Sequence, residues 1–243
     1  MILYGRNAVR EALRGRRAKS VEEVWATQSA AREPWLKGVQ GMQVQVGSAA
    51  DIERRCGSAA HQGVCAEAGG YPYVSAEELL AGSAPLVVAL DEVQDPQNLG
   101  SICRTAECAG ASGVVIPERR AAEITPAACK ASAGAVEHLR IARVRNLADF
   151  LGQARAAGCW CYGASARHDS TGRAPVAYDA PDYRGAGVVL VLGSEGRGLR
   201  PRVAGACDEL IALPLRGRVQ SLGVSAAAAA VLYEILQNRE RGP

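Results

Sequence analysis

The chain has 243 residues, of which 48% are hydrophobic and 22% charged, a balance that excludes fibrous and disordered classes and leaves room for one large or two small domains. No stretch approaches the roughly 18–20 consecutive apolar residues of a membrane span, and "MILYGRNAVREALRGRR" carries no long apolar run behind its charges, so a cytoplasmic protein without membrane contact is expected. The formal net charge is only +3, which excludes a strongly polybasic or acidic protein, and binding to an anionic polymer then depends on where the cations lie.

They are concentrated at the start. Residues 1–20 hold Arg6, Arg10, Arg14, Arg16, Arg17 and Lys19 against Glu11 alone. In "GRNAVREALRGR" the apolar positions Ala8, Val9, Ala12 and Leu13 fall at helical spacing behind Asn7, a suitable cap, which leaves the arginines on the opposite face. Such a face suits either RNA phosphates, with Arg14, Arg16 and Arg17 as the contacts, or plain solvent. Lys19, Lys37 and Lys130 are the only lysines. Arginine suits bidentate phosphate recognition, although GC-rich codon usage produces the same excess.

Short β-like pieces follow, "VEEVWA", "MQVQVGS" and "QGVCAEA", with a helix at "SAADIERRC" between the last two. They predict a small α/β module over residues 1–70. Residues 71–84 read as a linker with one helix inside it, since glycines and prolines bracket the stretch. From 85 to 243 apolar runs alternate regularly with helical segments. The runs are "LVVAL" (86–90), "GVVIP" (113–117), "LRIARV" (139–144), "CWCYGAS" (159–165), "GVVLVLG" (187–193) and "ELIALPL" (209–215). The intervening helices fall near 99–110, 126–133, 146–157, 199–206 and 225–238. This alternation predicts an α/β fold with a parallel sheet, whose ligands gather beyond the carboxyl ends of the strands. The eight cysteines form no C-x-x-C pair, which favours free thiols and predicts no metal site.

Three strand ends carry polar and glycine-rich residues. In "ALDEVQDPQNLGSICRTAECAG" a helix opens near Asn98 with Leu99, Ile102, Cys103 and Ala106 as its apolar stripe. Asn98, Ser101, Arg104 and Thr105 then fall on its polar side. In "VLGSEGRGLRP" the glycines are spaced G-x-x-G-x-G late in the chain, unlike a dinucleotide fingerprint. Glu195 within that turn would repel a phosphate and suits a neutral or cationic partner, or pairing with an arginine such as Arg104. In "LPLRGRVQSLGVSAAAAAVLYEI" a basic turn leads to a long helix, for which Ser221 and Ser225 equally suit caps.

Taken together these stretches resemble the three motifs of the SpoU (TrmH) family of RNA ribose 2′-O-methyltransferases, within the SPOUT superfamily. "DPQNLGSICRTAECAG", "LVLGSEGRGL" and "LPLRGRVQSLGVSAAAAAVLYE" correspond to the first, second and third motif, and the similarity covers about residues 85–238. "LYGRNAVREAL" and "HQGV" are similar to the L30e-like RNA-binding domain of the RlmB-type enzymes, which methylate a guanosine of 23S rRNA. The resemblance implies S-adenosylmethionine as methyl donor, a C-terminal trefoil knot, structured RNA as substrate and a homodimer. It places Gly193, Leu213 and Leu222 around the cofactor. Asn98, Arg104, Glu195 and Ser221 match the catalytic polar set, with Arg104 acting on the ribose 2′-hydroxyl.

One departure stands out. The family's third motif has S-L-N-V-S where this chain has Gly223, so one side-chain hydrogen bond is missing. Gly223→Asn is therefore expected to raise methyl transfer or leave it unchanged. Alternatives to the leading reading are an RNA-binding or ribosome-assembly factor without turnover, a tRNA substrate, and an antibiotic-resistance site in rRNA. The C-terminal helix, around Val231, Leu232 and Ile235, is expected to add apolar surface to the dimer.

Overall fold

The computed structural model describes residues 1–38, 43–165, 172–219 and 221–241. Met42 of the second β-like piece and Gln220 of the third motif lie outside the described residues. The N-terminal sheet is built from β1 (Ile2–Tyr4), α1 (Arg6–Ala12), β2 (Val21–Thr27), α2 (Pro34–Lys37), β3 (Val44–Gly47), α3 (Ala49–Cys56) and β4 (Val64–Ala68). Its strand order is β1-β4-β2-β3, with β4 antiparallel to both neighbours and β3 parallel to β2. Local chemistry explains α3. Ser48 and Asp51 form a reciprocal capping box at its start, and Gly57 ends it at φ +66°, a left-handed cap that glycine adopts without strain. The predicted Asn7 cap of α1 is displaced. The helix begins at Arg6 behind Gly5 at φ +94°, without a side-chain cap.

The second sheet is formed by β5 (Leu86–Asp91), α5 (Pro96–Cys108), β6 (Gly113–Pro117), α6 (Pro126–Ala131), β7 (Ile141–Val144), α7 (Leu147–Ala156), β8 (Cys159–Ala164), β9 (Val176–Ala177), β10 (Gly187–Gly193), α8 (Pro201–Ala206), β11 (Glu209–Ala212) and α9 (Val224–Glu240). A short helix, α4 (Glu77–Leu80), precedes it. The order is β7-β6-β5-β10-β8-β11-β9, and every pair is parallel. Successive residues of a strand face opposite sides. Val88 and Leu90 accordingly enter one core while Val87 and Ala89 enter the other, so both faces are covered, as a parallel sheet requires. The run predicted over 209–215 stops at Ala212, two residues before Pro214, which lacks the N–H that a ladder uses. No helix among the described residues is long and apolar enough to cross a membrane.

One apolar core joins the two sheets. Leu3, Val9, Val24 and Val64 of the first belong to the same cluster as Val88, Leu99 and Leu190 of the second. Tyr71 is buried between them, its single hydroxyl proton shared between the carbonyls of Val136 at 2.8 Å and Leu139 at 2.9 Å. Beside it Arg17 forms a two-pronged ion pair with Glu137, with Nε 2.9 Å from Oε2 and Nη2 on Oε1. The two side chains are 1% and 0% exposed. Burial disfavours the Arg17 cation, but the Glu137 carboxylate more than offsets this and raises its pKa above the ordinary value. Arg17 is therefore corrected from an RNA contact to an internal strut, because its charge is sealed from solvent and already neutralised. Arg14 and Arg16 remain exposed.

Val231, Leu232 and Ile235 are also corrected. All three are fully buried inside the chain, on the helix that packs against α5, so none offers surface to a partner.

Removing one member of a buried pair leaves an uncompensated charge, at about 3–5 kcal/mol. Arg17→Ala is expected to lower the urea midpoint by that equivalent. Arg17→Met combined with Glu137→Leu should recover most of it, because the apolar pair needs no neutralisation.

Candidate active site

The carboxyl ends of β8, β10 and β11 enclose a cavity of about 480 Å³, within the usual range for small-molecule sites. Ala164, Leu192 and Ile211 form its floor, and the loops after β10 and β11 form its walls. The first wall is the "GSEGRGL" turn. Ser194 and Gly198 pair across it as an antiparallel bridge, with Gly198 N–H donating to the Ser194 carbonyl at 2.9 Å. Gly193 is obligatory for this closure, since a Cβ there would overlap the Gly198 carbonyl and the Leu199 nitrogen. Gly196 and Gly198 complete the turn at φ +82° and +70°.

The loop is held in place from below. Asp91 is fully buried at the end of β5. One oxygen accepts the Arg200 backbone N–H at 2.8 Å and the other accepts Arg200 Nε at 2.7 Å. Arg200 also reaches Glu92 at 3.4 Å, and Arg120 approaches the same carboxylate at 3.1 Å. This clamp carries no recognisable spacing, and sequence reasoning missed it. The only signal was an acidic pair, Asp91 and Glu92, at the end of an otherwise apolar strand.

Asn98 enters from the neighbouring strand end. Asp95 caps α5 by accepting the Gln97 N–H at 2.9 Å, and Pro96 fills the first helical position, a favoured start. The helix thus opens two residues before Asn98, whose Nδ2 donates to Glu195 Oε1 at 3.1 Å. Asn98 and Glu195 line an adjoining cavity of about 360 Å³ with Asp95 and Arg197.

The structure brings Gly193, Glu195, Leu213, Ser221 and Leu222 together around the larger cavity. Arg104 is not among its lining residues. It is exposed on α5, six residues or about 9 Å along the helix axis from Asn98. The predicted pairing of Glu195 with an arginine is therefore replaced by the Asn98 bond. Arg14 and Arg16 also lie outside both cavities.

The third motif forms the opposite wall. Neither Ser221 nor Ser225 caps α9 by its side chain. Gly223 is the N-cap residue, and the Ser221 hydroxyl accepts the Gly223 N–H at 3.1 Å. Gly223 has φ +79° and ψ 147°, a combination almost confined to glycine. The expectation for Gly223→Asn is reversed on this ground. Asparagine tolerates the left-handed helical region but not this extended one, so its amide could be gained only at the cost of backbone strain.

The walls combine apolar side chains, Leu213, Leu222 and Val231, with backbone polar groups, the Glu195 carboxylate and the Arg197 guanidinium. Such a lining fits a molecule with an apolar or aromatic body and a neutral or cationic polar end. Among the described residues no group of three or more His, Cys, Asp or Glu side chains could hold a metal.

The profile of the SpoU rRNA Methylase family matches residues 85–233, and that of the RNA 2′-O ribose methyltransferase substrate-binding family matches residues 2–74. The chain is 37% identical over 252 residues to YacO of Bacillus subtilis (strain 168), which carries a TrmH family tRNA/rRNA methyltransferase designation; 98% of this chain and 95% of that one are covered. It also resembles the AdoMet-bound rRNA methyltransferase of Sinorhizobium meliloti, with TM-score 0.78, 27% identity, and coverage of 97% and 86%. The fold is shared with the SpoU methyltransferase AviRb of Streptomyces viridochromogenes, at TM-score 0.79 and 23% identity, covering 100% and 90%.

Backbone strain of the Gly223 kind is worth about 1–3 kcal/mol. Gly223→Asn and Gly223→Ala are both expected to lower the urea midpoint by that equivalent. Equal midpoints for wild type and both variants would show that the α9 entry relaxes without strain.

Proposed function

The chain belongs to the SpoU rRNA methylase family, and we propose that it transfers a methyl group from S-adenosylmethionine to a ribose 2′-hydroxyl of structured RNA, namely a guanosine of 23S rRNA. The observation that carries this reading is that the second and third motifs wall one cavity while the first reaches it through the Asn98–Glu195 hydrogen bond, in an adjoining cavity lined by residues of all three motifs. When bound, S-adenosylmethionine supplies an electrophilic methyl group on a sulfonium. The residues fit it, because Gly193, Leu213 and Leu222 offer backbone and apolar surface while Glu195 offers a carboxylate to a cation.

In-line transfer needs donor and acceptor aligned and the developing charge on the 2′-oxygen stabilised. Glu195, held by Asn98, keeps the cavity rim in one arrangement, and the Ser221 hydroxyl fixes the turn into α9. Arg104 is the residue we assign to the 2′-hydroxyl. Its role is to hold the oxygen and lower the cost of its negative charge; the methyl–sulfur bond would break as the methyl–oxygen bond forms, and the hydroxyl proton would leave to water or to a phosphate of the substrate.

Residues 1–70 serve in this reading as the RNA-binding module, with Arg14 and Arg16 on its exposed face, residues 71–84 as the connection, and residues 85–243 as the catalytic domain with its C-terminal knot. We assign the protein to the cytoplasm and to a homodimer. Leu215, Val219, Leu222 and Tyr233 support the dimer, since these large apolar side chains are exposed around the third motif and α9. A partner seated there would cover the mouth of the cavity, because Leu215 and Leu222 also line it. Gly223 gives limited support to a factor without turnover, because this motif departs from the family pattern only where the local backbone demands glycine.

Radiolabelled S-adenosylmethionine with rRNA from a strain lacking the enzyme tests the reading. Label on a 23S rRNA ribose is expected; label on tRNA alone would move the substrate, and cofactor binding without any transfer would favour the factor without turnover. Arg104→Ala should abolish transfer while calorimetry shows nearly unchanged cofactor affinity. Sedimentation at micromolar concentration should give a dimer, and Val219→Asp with Tyr233→Asp should shift it toward monomer.

A further inference from the structure

A third cavity, of about 260 Å³, opens where the two sheets meet. Gly5, Asn7 and Gln62 line it from the N-terminal side, and Gln97 and Lys130 from the other. Lys130 is half-buried, with its Nζ 5.7 Å from the centroid of the Tyr4 ring. Among the described residues no carboxylate pairs with it, whereas neighbouring Arg6 and Arg10 are paired with Glu33 and Glu11. Burial lowers the Lys130 pKa, the mark of a cation that has lost water without gaining a counter-charge.

The surroundings are shaped around that ammonium. Gly5 has φ +94°, and a Cβ there would stand 2.9 Å from Lys130 Nζ and 3.2 Å from Gln62 Oε1. The absence of a side chain at Gly5 is what admits both groups. Gln62 itself has φ +54°, uncommon for a non-glycine residue. Its Oε1 accepts the Arg6 N–H at 3.0 Å, which commits the oxygen end of the amide inward and leaves the NH2 end to donate. One ammonium and three amide side chains form a donor-rich lining suited to an anion with several oxygens.

The position of the cleft indicates which anion. Gln97 is the immediate neighbour of Asn98, which touches Glu195. Gln97, Ser101 and Arg104 also follow one another at i, i+4 and i+7 along one face of α5. A strand whose ribose is held at Arg104 would run along that face into the cleft. We propose that this cleft is a phosphate subsite for the RNA substrate, with Lys130 supplying the charge and Gln62 and Gln97 the amide donors. The inference rests on the methyltransferase reading above. It adds a contact from the 85–243 region to those expected from the N-terminal module.

The test is a salt series of rRNA-fragment binding by fluorescence anisotropy, alongside single-turnover transfer from S-adenosylmethionine. Each phosphate contact contributes about 0.7–0.9 to the slope of log K against log salt. Lys130→Met is expected to make the slope shallower by that amount and Lys130→Arg to preserve it, with cofactor affinity unchanged in both. Lys130 also packs on Tyr4, so Gln97→Glu provides a second variant at an exposed helix position. It should weaken RNA binding several-fold without shifting the melting temperature. Unchanged slope and affinity in Lys130→Met and Gln97→Glu, with an active wild type, would overturn the cleft and leave the methyltransferase reading intact. Inorganic phosphate that binds wild type but not Lys130→Met, with RNA affinity equal in the two, would also overturn it. A wild type that neither binds nor methylates RNA would overturn both readings together.

Discussion

A buried aspartate at a strand end determines the geometry of the whole site. Asp91 is fully enclosed, and a lone carboxylate there would cost several kcal/mol of lost hydration. The Arg200 backbone and guanidinium both turn onto it, so the chain leaving β10 must come back across the end of β5 within a few residues. That return demands the tight bridge between Ser194 and Gly198 and leaves no room for a Cβ at Gly193. Glu195 is then presented at the crest of the turn, where the first turn of α5 brings Asn98 to meet it.

The same logic operates between the sheets. Arg17 and Glu137 neutralise each other in a position that water does not reach, and Tyr71 spans the junction with a hydroxyl proton shared between two carbonyls. The N-terminal module is therefore docked through a continuous core. Docking has a functional consequence in the proposed reading, since an RNA held on the first module meets the reactive cavity at a fixed distance. The cleft around Lys130 exists only because the two modules are locked in this arrangement.

Exposure separates two kinds of apolar residue in the third motif and α9. Val231, Leu232 and Ile235 are consumed by the core behind the sheet, while Leu222, Val219 and Tyr233 stay in water. An extended basic turn holding exposed leucine and valine beside a ligand cavity is costly as a free surface. In the proposed homodimer, the second copy would cover these side chains and enclose the site at the same time.

The sequence by itself determined the local elements. Strands 113–117 and 187–193 and the helix after Asn146 follow from runs and periodicities a few residues long, which depend on neighbours in the chain. The three motifs were legible for the same reason, because glycines and caps at strand ends act locally, whereas the gathering of Gly193, Leu213 and Leu222 at one end of the sheet was implied only by the resemblance to the SpoU family. Tertiary structure decided what depends on remote partners. Arg17 reads as one more surface arginine until Glu137, 120 positions away, is placed against it. Asp91 likewise reads as a polar residue after a strand until Arg200, 109 positions on, closes over it. Gly223 reads as a lost amide until its φ and ψ are known. Burial, ion pairing and backbone strain are properties of a place in space, and a linear pattern records the place only when the partners lie within a turn or two.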